Sequence, residues 1–114
     1  MSILSDIRKL VGGDINATDF DIDLVININS SLSILTQLGV GPKGGFKITS
    51  SGTETWENFI GDSNLLELVK TFVYLKARIV FDPPQSATTM NAFKEEIKEL
   101  EWRIPIAVED KEVL

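Results

Sequence analysis

The sequence predicts a mainly α-helical domain, a small antiparallel bundle of about four helices with an inserted loop or β-hairpin. Apolar residues recur at steps of three and four on both sides of Pro83-Pro84, which predicts two helices. Because their apolar stripes match and their connection is short, the two should fold back on each other as an antiparallel pair. Two further stretches with helical spacing lie in the first half, and a glycine-rich segment separates the halves.

The first predicted helix spans residues 2–11. Its apolar residues fall on one face, Ser2 can cap its start, and Gly12-Gly13 should end it.

The next segment has two interpretations. Residues 20–28 alternate apolar and polar side chains as in a strand, but helical spacing continues as far as Leu38. A pattern of about 20 residues is too long for a typical strand, which favours a helix over residues 19–38. Thr18 or Asp19 could serve as its N-cap, and Gly39 stands where a left-handed residue would end it.

Residues 40–56 are predicted to form a projecting loop followed by a short β-hairpin. The loop, with Lys43 near its middle, is too rich in glycine for regular structure. Residues 46–49 and 53–56 alternate around a Ser-Ser-Gly turn, as paired strands do.

A two-stranded ribbon is only marginally stable alone. Phe46, Ile48 and Trp56 should therefore rest on the helices or on a neighbouring subunit.

The second half begins with a helix that should end near Phe81, because Pro83 and Pro84 restrict the residues before them. Asn64 and Glu67 are spaced like a capping box at its start. Ser86 or Thr88 should cap the last helix. This helix should end at Pro105, which leaves residues 105–114 as a flexible acidic tail.

At 114 residues the chain is expected to form one domain, residues 1–114, that buries roughly 65% of its unfolded surface. It contains no cysteine and no histidine, which removes the usual nucleophile, general base and metal ligands. No apolar run is long enough to span a bilayer and the start lacks a signal-peptide core, so a cytoplasmic protein with no membrane association is expected. We predict that the chain is not an enzyme and that it binds no cofactor and no metal.

The formal net charge is −6, from 17 acidic and 11 basic residues, and the basic residues are scattered. Proteins that grip DNA usually cluster their basic residues on one face, so tight DNA binding is not expected.

Four carboxylates crowd the last helix and could in principle form an acid–base pair or hold a metal. They are Glu95, Glu96, Glu99 and Glu101. A solvated face is the favoured interpretation. Glu99 and Arg103 are also correctly spaced for an ion pair.

Three aromatic residues lie away from the predicted apolar stripes. At 100° per residue, Tyr74 and Phe81 fall opposite the stripe of their helix, and packing on the first two helices is favoured for both. Trp102 lies about 180° from the stripe of the last helix, among charged residues. An exposed tryptophan in this position indicates a protein interface.

Seven short motifs occur in an order that resembles the small head–tail connector, or head-completion adaptor, proteins of tailed bacteriophages and of prophages of Gram-positive bacteria. They are Asp6-Ile7-Arg8-Lys9-Leu10, Thr18-Asp19-Phe20-Asp21, Gln37-Leu38-Gly39-Val40-Gly41, Trp56-Glu57-Asn58-Phe59, Val73-Tyr74-Leu75-Lys76, Phe81-Asp82-Pro83-Pro84 and Lys98-Glu99-Leu100-Glu101-Trp102-Arg103. The Asp-Pro-Pro corner and the Glu-Trp-Arg ending are the most specific.

The resemblance implies a helical bundle with an inserted hairpin or long loop that assembles as a homo-oligomeric ring. Such a ring lies beneath the portal, joins a tail-side connector or head-completion protein, and lets DNA pass without binding it tightly. It implies a place at the head–tail junction of the virion, with host cytoplasm as the site of assembly. The interface candidates are Trp102, Tyr74, Phe81, Phe46, Trp56 and Lys43. The alternative is a small cytoplasmic regulatory or antitoxin-like module that binds one partner.

Overall fold

The computed structural model of the protein describes residues 2–11, 20–61 and 63–113, with side chains described as far as residue 109. Within these ranges the chain forms five helices and no strand. The helices are α1 (Ile3–Leu10), α2 (Asp21–Gln37), α3 (Trp56–Ile60), α4 (Leu66–Phe81) and α5 (Ala87–Val113). The predicted mainly α-helical class is confirmed.

Helix α4 is the centre of the domain, because α1, α2 and α5 all pack against it. Helices α2 and α5 have little contact with each other. The resulting body measures 42 × 36 × 19 Å and is therefore much thinner than it is wide.

The core consists of the apolar stripes predicted for these helices. Phe72 and Val69 of α4 are completely buried, and Ile97, Leu100 and Ile104 of α5 face them from the other side of the pair. Helix α2 contributes another buried row, which includes Leu24, Ile28, Leu32 and Leu35. The predicted antiparallel pair is thus the framework on which the first half of the chain packs.

The first two helices form largely as predicted. Ser2 caps α1, since its hydroxyl accepts a hydrogen bond from the Ser5 backbone N–H at 3.0 Å. Helix α2 begins at Asp21 with no side-chain cap, and Gly39 follows its end with φ +96°, as expected. Thr18, Asp19 and Gly12-Gly13 lie outside the described residues.

The predicted β-hairpin is wrong, because both of its intended strands bond to other elements. The Asn29 side chain of α2 holds the backbone N–H and C=O of Ile48, at 2.8 and 3.0 Å. The Ile3 N–H donates to the Glu54 carbonyl at 2.9 Å, and a single antiparallel bridge joins Ser2 to Thr55. The backbone groups that a hairpin would have paired with each other are thus used to attach the segment to α1 and α2.

A capping box is present, but at α3 rather than at the predicted site. The Thr55 hydroxyl accepts from the Asn58 N–H, and the Asn58 side chain accepts from the Thr55 N–H, both at 3.0 Å. Helix α4 instead starts at Leu66 with Leu65 as its N-cap and no side-chain cap, so the predicted box of Asn64 and Glu67 is wrong.

The proline corner is confirmed, since α4 ends at Phe81 and Asp82 leaves the helical region with φ −150°. The Ser86 hydroxyl then caps the next helix by accepting from the Thr89 N–H at 3.0 Å.

The prediction that Pro105 ends the last helix is wrong, because α5 continues to Val113 with Pro105 inside it. A proline within a helix removes one hydrogen bond and costs about 3 kcal/mol. Burial on both sides of Pro105 opposes this cost, since Ile104 is completely buried and Ala107 and Val108 pack against the core. Residues 105–109 are therefore a packed continuation of the helix, not a frayed tail.

Candidate interaction surface

The carboxylates of α5 form a solvated face. Glu95, Glu96, Glu99 and Glu101 are all exposed. Glu99 lies 3.3 Å from Arg103 in the predicted ion pair, and Glu95 lies 3.7 Å from Lys98. Among the described residues, no group of three or more acidic side chains is placed to hold a metal ion. No helix in the described part of the chain has the length and apolar character needed to cross a membrane.

Trp102 projects from the outer face of α5, with 70% of its surface exposed. It borders a groove of about 320 Å³, here called the Trp102 groove, that is lined by Leu68, Trp102, Arg103, Ile106 and Ala107. Ile106, one helical turn after Trp102, is also exposed. An indole and a branched aliphatic side chain at the edge of an open groove are typical of a protein contact site.

Trp56 is in a very different position, because only 5% of it is exposed. Its indole N–H donates to the Asp6 carboxylate at 2.8 Å, and the Lys70 ammonium lies 5.7 Å from its ring centre. The side chain therefore attaches α3 to α1 and α4, and it is not accessible to a partner in this structure.

Phe46 is partly buried and lies against Phe59, with ring centres 5.2 Å apart. It rests on the domain, one of the two placements that the sequence allowed.

Tyr74 and Phe81 are partly buried against the core. The Tyr74 hydroxyl accepts from the Arg78 guanidinium at 2.9 Å, and the same guanidinium lies 5.0 Å from the Phe93 ring centre. Arg78 also lies 3.7 Å from the Asp82 carboxylate. These contacts connect α4 to α5 beside the proline corner, so Tyr74 is engaged within the bundle.

Lys43 lies at the exposed tip of the loop after α2. The Gly45 N–H donates to the Pro42 carbonyl at 2.9 Å and closes the tip. The base of the loop is tightly packed, because a Cβ at Gly41 would lie only 2.5 Å from the Phe59 ring. The tip is thus exposed on a fixed base.

A second exposed apolar surface was missed by the sequence analysis. Phe20 precedes α2, and Ile22 and Ile26 lie on its outer face with 73% and 64% of their surfaces exposed. We call these three residues the α2 patch.

The alternation in residues 20–28 is the signal that could have revealed the α2 patch. Residues two apart in a helix are separated by about 200°, so burial of Leu24 and Ile28 turns Ile22 and Ile26 outward.

The interface candidates therefore separate into distinct groups. The Trp102 groove, the loop tip at Lys43 and the α2 patch are accessible, whereas Trp56 belongs to the core and Phe46, Tyr74 and Phe81 are partly buried.

Comparison with known protein families gives a match over most of the chain. The family model described as phage connector protein matches residues 3–111, nearly the whole chain. No curated protein and no solved structure matches the chain significantly.

Proposed function

Because the chain belongs to the phage connector protein family, we propose that it is a structural adaptor that assembles as a ring between portal and tail of a tailed phage or prophage. The family implies a structural role in the virion and contacts with other head or tail proteins. In the proposed ring, each subunit contacts further copies of itself, the portal protein, and a tail-side connector or head-completion protein. DNA passes through the ring during packaging and ejection.

The observation that supports assembly most strongly is the exposure of Trp102 beside an open groove. Burying a large aromatic side chain at an interface is a major source of binding energy, and leaving it in water gives the free subunit no comparable benefit. Trp102 also lies on the helix face opposite Ile97 and Ile104, which are buried, so its exposure is not needed to complete the core.

The acidic balance supports passage of DNA without retention. A net charge of −6 repels phosphate, and among the basic side chains Arg8, Arg78, Lys98 and Arg103 lie within 4 Å of carboxylates. A duplex that moves through such a ring would not be held by counterion release.

The loop tip at Lys43 is a second candidate contact, because it is exposed while its base is fixed by Gly41 and Phe59. Phe46 lines the same groove as Lys43 and would lie at the margin of that contact.

The test is the mass of the protein measured by analytical ultracentrifugation, alone and after mixing with portal particles. We expect a closed multi-copy species or a portal-bound species. A monomer or dimer that does not bind portal would contradict the adaptor and favour a small regulatory module.

DNA binding provides an independent check. The free protein should not retard duplex DNA at physiological salt, because its charge opposes contact with phosphate. Tight binding that weakens with added salt would contradict the proposal.

A further inference from the structure

Two helices of this domain carry an exposed apolar pair on the outer face. On α2 the pair is Ile22 and Ile26, with Phe20 beside it, and on α5 it is Trp102 and Ile106. In each pair the residues are four apart, so each pair forms a continuous apolar strip about one turn long. Single exposed apolar residues are common on proteins, but such strips are typical of contact surfaces.

The two strips lie on different sides of the domain. Helices α2 and α5 both pack against α4 and have little contact with each other, so α4 separates them. A chain with two separate and different apolar surfaces can join its neighbours head to tail.

The strips also lie toward opposite ends of the helices. Gly39 after α2, Leu65 before α4 and Val108 of α5 line one common groove. The C-terminal ends of α2 and α5 therefore meet at one end of the domain. The α2 patch is at the N-terminal end of its helix, whereas Trp102 and Ile106 are in the C-terminal half of theirs.

Each strip has a charged residue beside it, and these two residues are of opposite sign. Asp23 is exposed next to Ile22 on α2, and Arg103 lines the groove with Trp102 and Ile106. Arg103 is 3.3 Å from Glu99, but an exposed pair of this kind contributes little to stability. Its guanidinium can therefore bond a carboxylate of a second chain without a large loss within its own.

We infer that the α2 patch of one copy of this chain packs into the Trp102 groove of the next copy, with Asp23 beside Arg103. The inference rests on the proposed ring function and names the two surfaces that would close the ring. The contact is heterologous, since each subunit uses two different surfaces.

The positions of the strips constrain how such a ring is built. Because they lie at opposite ends of the helices, neighbouring copies are staggered along the helix axes. If the helices were parallel to the ring axis, this stagger would add up from copy to copy and give an open helical array. A closed ring therefore requires the helices to be inclined to the ring axis.

Disulfide trapping tests the pairing directly, because the chain contains no cysteine. Ile26→Cys and Ile106→Cys chains are prepared separately, mixed with and without portal particles, and oxidised. We expect the mixed 26–106 cross-link as the main product. Predominant 26–26 or 106–106 products, or no cross-link, would overturn the inference. Val80→Cys, at a residue that is 60% exposed outside both strips, is the matched control and should cross-link to neither chain.

Charge reversal tests the proposed Asp23–Arg103 contact. Asp23→Arg and Arg103→Asp should each raise the concentration needed for assembly about tenfold, because each places like charges together. The double variant should restore assembly, and Glu57→Arg, which reverses an exposed charge on α3, should have no effect. A double variant no better than the single ones would overturn the contact, provided that circular dichroism shows all variants folded.

The mass of the unmodified protein, measured with and without portal particles, separates the two proposals. An assembled protein without the 26–106 cross-link would overturn the pairing and leave the adaptor function standing. A protein that neither assembles nor binds portal would overturn both.

Discussion

The region around Trp56 and the region around Trp102 use the same side chain in two different environments. At Trp56 the indole N–H is bonded to Asp6 at 2.8 Å and the ring is covered. At Trp102 the ring projects from α5 with 70% of its surface in contact with solvent. The partners of a tryptophan thus distinguish a side chain that holds the fold from one that is available for assembly.

The largest expected effect is that of Trp56→Ala, which should lower the free energy of unfolding by about 3–5 kcal/mol, because it empties a core position and removes the bond to Asp6. Urea unfolding followed by circular dichroism measures the change. Trp56→Phe keeps a ring but loses the N–H donor, so it should fall between the wild type and Trp56→Ala. A loss below about 1 kcal/mol for the alanine variant would place Trp56 among the accessible residues after all.

Ile97→Ala tests the packing of the inner face of α5, the helix that carries Trp102 on its outer face. Its side chain is buried, and its removal should cost about 2–5 kcal/mol by leaving a cavity. Thermal and urea unfolding both report this change. A loss below about 0.5 kcal/mol would mean that the inner stripe of α5 does not pack as described.

Trp102→Ala should weaken assembly and leave the stability of the fold nearly unchanged. The free energy of unfolding should stay within about 0.5 kcal/mol of the wild type, since the side chain is exposed. Ring formation or portal binding should weaken by more than about 1 kcal/mol if the tryptophan is an anchor. Val80→Ala, another exposed apolar residue, is the control that should change neither quantity. Melting of the Trp102 variant with normal assembly would reverse the assignment.

The smallest effect concerns pH and the turn that precedes α3. The pKa of the Glu54 carboxyl is lowered, first by the Thr49 backbone N–H and also by the Thr49 hydroxyl, which donates to it at 2.9 Å. A lowered pKa means that the ionised group stabilises the fold above the pKa of the unfolded chain. This contribution is lost as the pH falls through the folded-state value.

Comparing Glu54→Gln with the wild type isolates this contribution. The stability difference should be present near neutral pH and should shrink below about pH 4.5, the ordinary value for the group. It should be small throughout, since Glu54 remains partly solvated. A difference that stays constant into the acid range would show that Glu54 acts through packing alone.

Local signals in the sequence were sufficient for the elements that depend on adjacent residues. The Pro83-Pro84 corner, the Ser2 cap and Gly39 after α2 act through the backbone of one or two neighbours, and all three are found where expected. The buried stripes that contain Phe72 and Ile97 were also predictable, because helical periodicity depends only on residues close to one another in the sequence.

Two of the errors in the fold involve contacts with residues that are distant in the sequence. Asn29 bonds Ile48 from 19 residues away and replaces the strand partner that the alternation implied. Pro105 remains inside α5 because the helix on both sides of it packs against the core. Rules based on adjacent residues do not include this packing.

The candidate site was predictable only in part. Helical geometry was enough to place Trp102 on the outer face of its helix. The sequence left open whether Trp56 rests on the helices or on a neighbouring subunit, because its burial depends on Asp6, which is 50 residues earlier. The α2 patch could be recognised only after the helical interpretation of residues 20–28 was settled.

The position of α1 has a consequence for the way the protein is made. Ile3, Leu4 and Ile7 are buried, yet α4, which covers them, and residues 54–56, which hold the start of α1, are synthesised later. A ribosome adds about 5–20 residues per second, so the apolar face of α1 stays uncovered for several seconds. A helix of eight residues is also too short to be stable alone. Synthesis that ended before α4 would therefore leave a fragment with exposed apolar surface, not a smaller folded domain.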